Sequence, residues 1–251
     1  MPDSPSDLSP SPNPGESKSS GDSKSARAAA LSAEGLDPIT PAWDWRLWRI
    51  FLRGTFLPTF QYRVRGLDTL PDGPALFLAN HQSFLDPLCI GLAMDRPISF
   101  VARDGLFDVP VLRWALHRAM TMPIRQQSAA GSIRTPIARL RRGFYVGLFP
   151  EGERTLTGKL NPLRPGFASL LRRADAPIVP VGIAGAYEAW PRRQMLPRPG
   201  RIRVVYGEPV RFDDLLQRGR ETELIEAVTA EVSAVVDEAA AWRARSYRRG
   251  V

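Results

Sequence analysis

Residues 75–94 read ALFLANHQSFLDPLCIGLAM. The apolar run Ala75–Ala79 is β-type. Asn80, Gln82 and Ser83 after it tolerate turns. Asp86-Pro87 then reads as a helix N-cap followed by proline at the first helical position, and Leu88–Met94 as the helix it opens. The same alternation runs through the chain. Further β-type runs are Gln61–Gly66, Ile98–Ala102, Met120–Ile124, Tyr145–Phe149, Ile178–Ile183 and Arg201–Tyr206. Helical stretches fall between most of them, at Val111–Arg118, Ile133–Arg142 and Phe167–Ala174. Alternating strands and helices predict an α/β fold, a mostly parallel mixed sheet covered by helices. Ligand sites in such folds lie in loops at the carboxyl ends of the strands.

Upstream, WDWRLWRIFLRGTFLPTF begins at Trp43. Arg46, Arg49 and Arg53 fall at i, i+3 and i+7, on one helical stripe. Leu47, Trp48, Phe51, Leu52 and Phe56 cover much of the rest, and Pro58 should end the helix. A basic stripe beside an aromatic and aliphatic face suits a helix lying among anionic lipid headgroups. It equally suits a helix packed on its own domain. Downstream, Leu224, Ile225, Val228, Val232, Val235, Val236 and Ala239 keep helical spacing to near the end of the chain, where Arg243, Arg245, Arg248 and Arg249 follow.

The expected organisation has three parts. Residues 1–40 contain 10 Ser, 6 Pro, 3 Gly and no aromatic residue. That composition does not repay the entropy of ordering and predicts a disordered tail. It also lacks the basic start and apolar run of a signal peptide. Residues 41–60 form the amphipathic membrane-interface helix. Residues 61–251 form the main domain, the C-terminal helix included.

The chain has 251 residues, 43% hydrophobic and 24% charged, which excludes wholesale disorder. A single cysteine excludes an internal disulfide framework, and two histidines leave little for a histidine metal cluster. No uncharged stretch approaches the roughly 18 apolar residues of a membrane-spanning helix. The formal net charge is +8. Residues 1–40 hold three basic and six acidic residues, which leaves +11 on the remainder. Such a balance predicts an anionic partner: a phosphate ligand, an anionic membrane or a nucleic acid. The basic residues are scattered through strands and helices without a zinc-finger or aromatic-rich basic signature, which argues against nucleic acid.

Three constellations carry chemistry. In Asn80–Asp86, His81 and Asp86 are five apart, so they meet only across a turn. A carboxylate on one imidazole nitrogen fixes the tautomer and leaves the other free to take a proton. The same residues also read as a loop histidine and a helix cap. In FPEGER, residues 149–154, proline and glycine bracket a tight loop whose amides can approach a ligand. Arg154 can grip a phosphate bidentately, and Glu151 can hold that guanidinium or bind a hydroxyl. A strand-ending turn with a surface ion pair fits that segment too. Arg164-Pro165-Gly166 opens a helix and gives another anion-friendly terminus. Beyond it, Ile178-Val179-Pro180-Val181 is a buried strand interrupted by proline, which belongs at an edge, a bulge or a ligand wall. Cys89 reads as a small core residue and His117 as a surface or core-edge histidine.

NHQSFLD (80–86), FPEGER (149–154), RPG (164–166) and IVPV (178–181) stand in that order. The order resembles the glycerolipid acyltransferase family of the lysophosphatidic acid acyltransferase type, over roughly residues 61–210. The resemblance implies His81 as catalytic base and Asp86 as its partner. It places Glu151, Gly152 and Arg154 in acceptor binding, with Arg164 and Gly166 in the third motif. It also implies a mixed α/β fold on the cytoplasmic face of a membrane, peripheral or monotopic. The expected acceptor is a lysophospholipid, lysophosphatidic acid first, with a lyso-aminolipid or other lyso-lipid as the alternative. The expected donor is acyl-CoA or an acyl carrier protein, with no cofactor and no metal. A non-catalytic membrane- or nucleic-acid-binding protein is the alternative from another class. One departure stands out. The family carries an arginine in a pattern like Ile-Pro-Val-x-Arg, whereas Met122-Pro123-Ile124-Arg125-Gln126 puts Gln126 in its place and Arg125 one position early. Arg125 is therefore expected to serve the acceptor phosphate.

Overall fold

The computed structural model describes residues 43–103, 122–124 and 129–248. The tail at 1–40, the helix expected at Val111–Arg118 with His117, and the pair Arg125 and Gln126 lie outside the described residues.

Among the described residues, seven strands form one sheet: β1 (Arg63–Arg65), β2 (Ala75–Ala79), β3 (Ile98–Arg103), β4 (Met122–Ile124), β5 (Tyr145–Leu148), β6 (Ile178–Ala184) and β7 (Arg203–Tyr206). Their order is β1-β7-β6-β2-β5-β3-β4. Neighbours run parallel except β6 and β7, which are antiparallel. β1 and β7 thus form an edge ribbon running against the other five strands. The helices are α1 (Trp43–Thr59), α2 (Asp86–Gly91), α3 (Ala129–Arg141), α4 (Ala168–Ala174), α5 (Ala186–Ala189), α6 (Asp213–Gln217) and α7 (Glu221–Arg248).

The central strands are apolar throughout because both sheet faces are covered. On β2, Ala75, Phe77 and Ala79 join one core with Phe56, Phe60, Cys89 and Ile90 from the α1 and α2 side. Leu76 and Leu78 join the other, with residues of α3, α4 and α7. Cys89 is fully buried, and burial raises its thiol pKa well above the usual value, which fits a packing role. α7 lies directly against β6. A Cβ at Gly182 would stand 2.1 Å from the Val235 carbonyl oxygen, so only glycine admits the helix there.

One local expectation is corrected, and the alternatives left open for Pro180 reduce to the bulge. Helix α1 runs one residue past Pro58. Gln61 adopts the left-handed conformation (φ 38°), and the N–H groups of Gln61 and Tyr62 donate to the carbonyls of Pro58 and Leu57. This is a Schellman stop, and it caps the last turn despite the proline. Pro180 lies on β6, a strand with neighbours on both sides, so it is not at an edge. Ile178 bridges Val210 while Val181 pairs with Tyr206, so three steps along β6 face four on the opposite chain. That bulge is where Pro180 sits. Its carbonyl still accepts from Gly207 N–H, and its missing donor falls in the gap.

Candidate active site

β6, β2 and β5 are adjacent and parallel, so the loops after β2 and β5 emerge on one edge beside the end of β6. Asn80 locks this edge. Its side-chain amide donates to the Ile183 carbonyl (2.9 Å) and accepts from the Ile183 N–H (2.8 Å), extending the sheet by one side chain.

His81 follows. Its Nδ1 is 2.7 Å from Asp86 Oδ2. The same oxygen accepts the backbone N–H groups of Gln82 (2.6 Å) and Ser83 (2.7 Å). The intervening turn therefore closes on the Asp86 carboxylate. Asp86 is the first residue of α2, and its side chain does not cap that helix. The expected N-cap is thus replaced by a fold-back toward His81. Asp86 is wholly buried while the His81 side chain keeps 20% of its surface. An ionised carboxylate only accepts, so it assigns the proton to Nδ1 and leaves Nε2 basic. The Phe149 ring stacks on the imidazole at 4.0 Å and 13°, fixing its plane.

The loop after β5 clamps the same residue through the backbone. Glu151 Oε1 accepts the His81 N–H (2.6 Å), and Thr155 N–H donates to the His81 carbonyl (2.8 Å). Glu151 Oε2 accepts the Asn161 N–H (2.8 Å). The Glu151 side chain is 2% exposed, and burial raises its pKa from 4.5 to about 7 against the lowering effect of those two amides. The resemblance assigns Glu151 to acceptor binding; here both its oxygens are engaged by backbone N–H groups. Gly152 takes φ +73°, which turns the loop.

Arg164 braces that turn. Its Nε donates to the Glu151 carbonyl (3.0 Å) and its guanidinium pairs with Glu153 (3.0 Å). Gly166, two residues on, is exposed in a 3-10 turn, and a Cβ there would meet nothing within 4 Å. Arg154 lies with its guanidinium carbon 3.5 Å from the Phe84 ring centroid. Phe84 in turn contacts Trp190 at 5.3 Å. The structure thus brings together His81, Asp86, Glu151, Gly152 and Arg164, and sets Arg154 on a residue of the His81–Asp86 loop. Sequence reasoning passed over Phe149, Phe84, Asn80 and Thr155 as working parts, although all four lie within or beside the quoted motifs. Among the described residues no three His, Cys, Asp or Glu side chains gather as metal ligands would.

Residues 61–184 match the Acyltransferase family. Over this segment, just under half of its length, the chain is similar to the acyltransferase family. It is 28% identical over 159 residues to the chloroplastic 1-acyl-sn-glycerol-3-phosphate acyltransferase BAT2 of Brassica napus, covering 61% of this chain and 46% of that protein. It is 30% identical over 152 residues to the 1-acyl-sn-glycerol-3-phosphate acyltransferase of Pseudomonas aeruginosa, covering 59% and 58%. The chain thus spans about half the length of these curated relatives. The crystal structure of the 1-acyl-sn-glycerophosphate acyltransferase PlsC of Thermotoga maritima superposes with a TM-score of 0.63 at 21% identity, over 85% of this chain and 89% of that one, a shared fold. The acyltransferase domain contains every residue of the His81–Asp86 and Glu151–Arg154 loops.

Proposed function

We propose that this acyltransferase moves a fatty acyl group from a thioester to the free hydroxyl of a lysophospholipid, with lysophosphatidic acid as the acceptor and phosphatidic acid as the product. The donor is acyl-CoA or an acyl carrier protein. The observation that carries the reading is the Asp86–His81 pair, 2.7 Å apart, with the carboxylate buried and the imidazole part-exposed. As the acceptor oxygen attacks the thioester carbonyl, His81 Nε2 takes the hydroxyl proton, and Asp86 stabilises the imidazolium. The tetrahedral oxyanion collapses, the C–S bond breaks, and the thiolate leaves with the proton from His81. General-base assistance of this kind contributes roughly 10²- to 10⁴-fold. Arg154, spread over the Phe84 face, holds the acceptor phosphate. Arg125 is proposed as the second cation.

The protein works at a membrane face. Supporting this, α1 presents Leu47, Ile50 and Phe51 at 58%, 66% and 58% exposure, along one helical side. No helix among the described residues is long and apolar enough to cross a bilayer.

A thioester-cleavage assay tests the reaction, run with lysophosphatidic acid and with a phosphate-free lyso-lipid. Turnover is expected with the first and is lost by at least about a hundredfold in His81→Ala. Undiminished turnover in His81→Ala removes the base assignment. Equal turnover with the phosphate-free lipid transfers the acceptor to a lyso-aminolipid.

A further inference from the structure

A second basic site lies two strands away from His81, on the edge ribbon. β1 carries Arg63 and Arg65, while Arg201 and Arg203 lie two apart on the approach to β7 and its first residue. Two-residue spacing puts each pair on one face. Arg63 pairs in register with Arg203, so the four stand side by side. The C-terminal turns of α7 lie beside them with Trp242 and Arg245, and together they line a half-open cavity of about 330 Å³.

The cavity lining contains no carboxylate. Among the described residues, none of these five arginines makes an ion pair; the nearby Arg243 pairs with Glu188. Like charges gathered this closely repel. Aromatic stacking and hydrogen bonding hold three of them. Arg65 lies 4.1 Å and Arg203 5.4 Å from the Trp242 ring, and Arg201 lies 4.3 Å from Tyr247. Arg203 also donates to the carbonyls of Gln61 and Ile202. Arg203 is 3% exposed, yet its Nε has no hydrogen-bond partner in a wall of the cavity. Burial, then Arg63 and Arg201, lower the pKa of its guanidinium. A buried donor and uncompensated positive charge in one cavity describe a site prepared for an anion, and a guanidinium cluster is matched best by phosphate.

We propose that the Arg63–Arg65–Arg203–Arg245 cavity is a second anion site, which takes a phosphate group carried on a larger ligand. The sheet register places it at the same end as the catalytic loops. Arg203 pairs with Ala184, next to the Ile183 that Asn80 clasps. Two sources share this chemistry: the phosphates of a soluble thiol donor, and the headgroup of an anionic phospholipid.

Binding measurements separate them without requiring turnover, so the outcome is independent of the acyl-transfer reading. The full chain and Arg65→Gln/Arg245→Gln are titrated with pyrophosphate and with coenzyme A. Both are also sedimented with phosphatidylcholine vesicles, with and without phosphatidylglycerol. Both substituted residues are exposed, and circular dichroism verifies folding. Arg63→Gln, also exposed, is the second variant. Arg198→Gln/Arg218→Gln, on exposed positions outside the cavity, removes the same charge. A loss of at least about tenfold in pyrophosphate or coenzyme A affinity, confined to the cavity variants, establishes the site for a soluble ligand. The same loss in the phosphatidylglycerol-dependent part of vesicle binding establishes it for a headgroup. Equal effects of the cavity and control variants, or no effect in either arm, overturn the proposal.

Discussion

The Glu151 carboxyl accepts the backbone N–H of His81 at 2.6 Å, so the loop after β5 sets the position of His81, the proposed base, on the loop after β2. Its other oxygen takes the Asn161 N–H. Glutamine at this position can accept only one of the two N–H groups and turns an N–H donor toward the other. Glu151→Gln is therefore expected to let His81 shift and to lower kcat by about a hundredfold, the order of cost of a 1 Å misplacement. Acceptor KM should change little. Steady-state thioester release checks this; a rise in acceptor KM at unchanged kcat would return Glu151 to acceptor binding.

The same residue gives a pH dependence of stability. Its folded pKa of about 7 lies above the ordinary 4.5, with burial as the leading cause. The folded chain then binds the proton more tightly than the unfolded chain does. Stability from this group is fully present below about pH 4.5 and is lost as pH rises toward 7, with a slope of at most about 1.4 kcal/mol per pH unit. Denaturant midpoints for wild type and Glu151→Gln across this window should converge as pH rises. A difference that is constant, or that grows with pH, contradicts the direction.

The sequence made the strand–helix alternation legible because apolar runs and turn residues are local signals. Ala75–Ala79 and the start of β5 at Tyr145 stand where the pattern puts them. What the pattern lacked was anything depending on a distant partner. Asn80 reads as a turn residue because Ile183, which its amide clasps, lies 103 positions away. Asp86 before a proline has the form of a cap. Only the fold-back that offers it the N–H groups of Gln82 and Ser83 aims it at His81 instead. RVR and RIR are ordinary β-type segments until β1 and β7 lie side by side. Glu151 is placed in acceptor binding by the resemblance; its burial against the His81 N–H depends on how the loops after β2 and β5 meet.

Arg154 stacks on Phe84, within the His81–Asp86 loop, so an acceptor phosphate held there, as proposed, would align the acceptor hydroxyl with His81. Arg154→Ala is expected to raise acceptor KM and lower kcat, for a combined loss of about ten- to a hundredfold in kcat/KM, the range for a hydrogen bond to a charged group. Donor KM should be unaffected. Arg154→Lys should rescue poorly, since an ammonium neither forks onto phosphate nor stacks flat on the ring. An unchanged acceptor KM with donor KM raised would place Arg154 on the other substrate.

The membrane contact proposed for α1 would rest on a different surface from the arginine stripe that the sequence pattern suggests. Arg49 is turned to the body of the protein, donating to the Met94 carbonyl and pairing with Asp95 at 2.8 Å. Arg53 is half-buried, and Phe56 and Phe60 are in the core. The outward side is Leu47, Ile50 and Phe51, an apolar ridge of the kind that enters the headgroup layer. Leu47→Ser/Ile50→Ser/Phe51→Ser is therefore expected to weaken vesicle binding by at least about a hundredfold, since burying each such side chain contributes on the order of 1.5–3 kcal/mol. The loss should appear on neutral as well as anionic vesicles and should persist at high salt, because it is not electrostatic. Arg49→Glu should instead loosen α1 from the Met94–Asp95 loop and lower the melting temperature. Cosedimentation decides between the two surfaces. If the serine variant binds vesicles as wild type does while Arg49→Glu releases them at constant melting temperature, the arginine stripe carries the contact and the ridge does not.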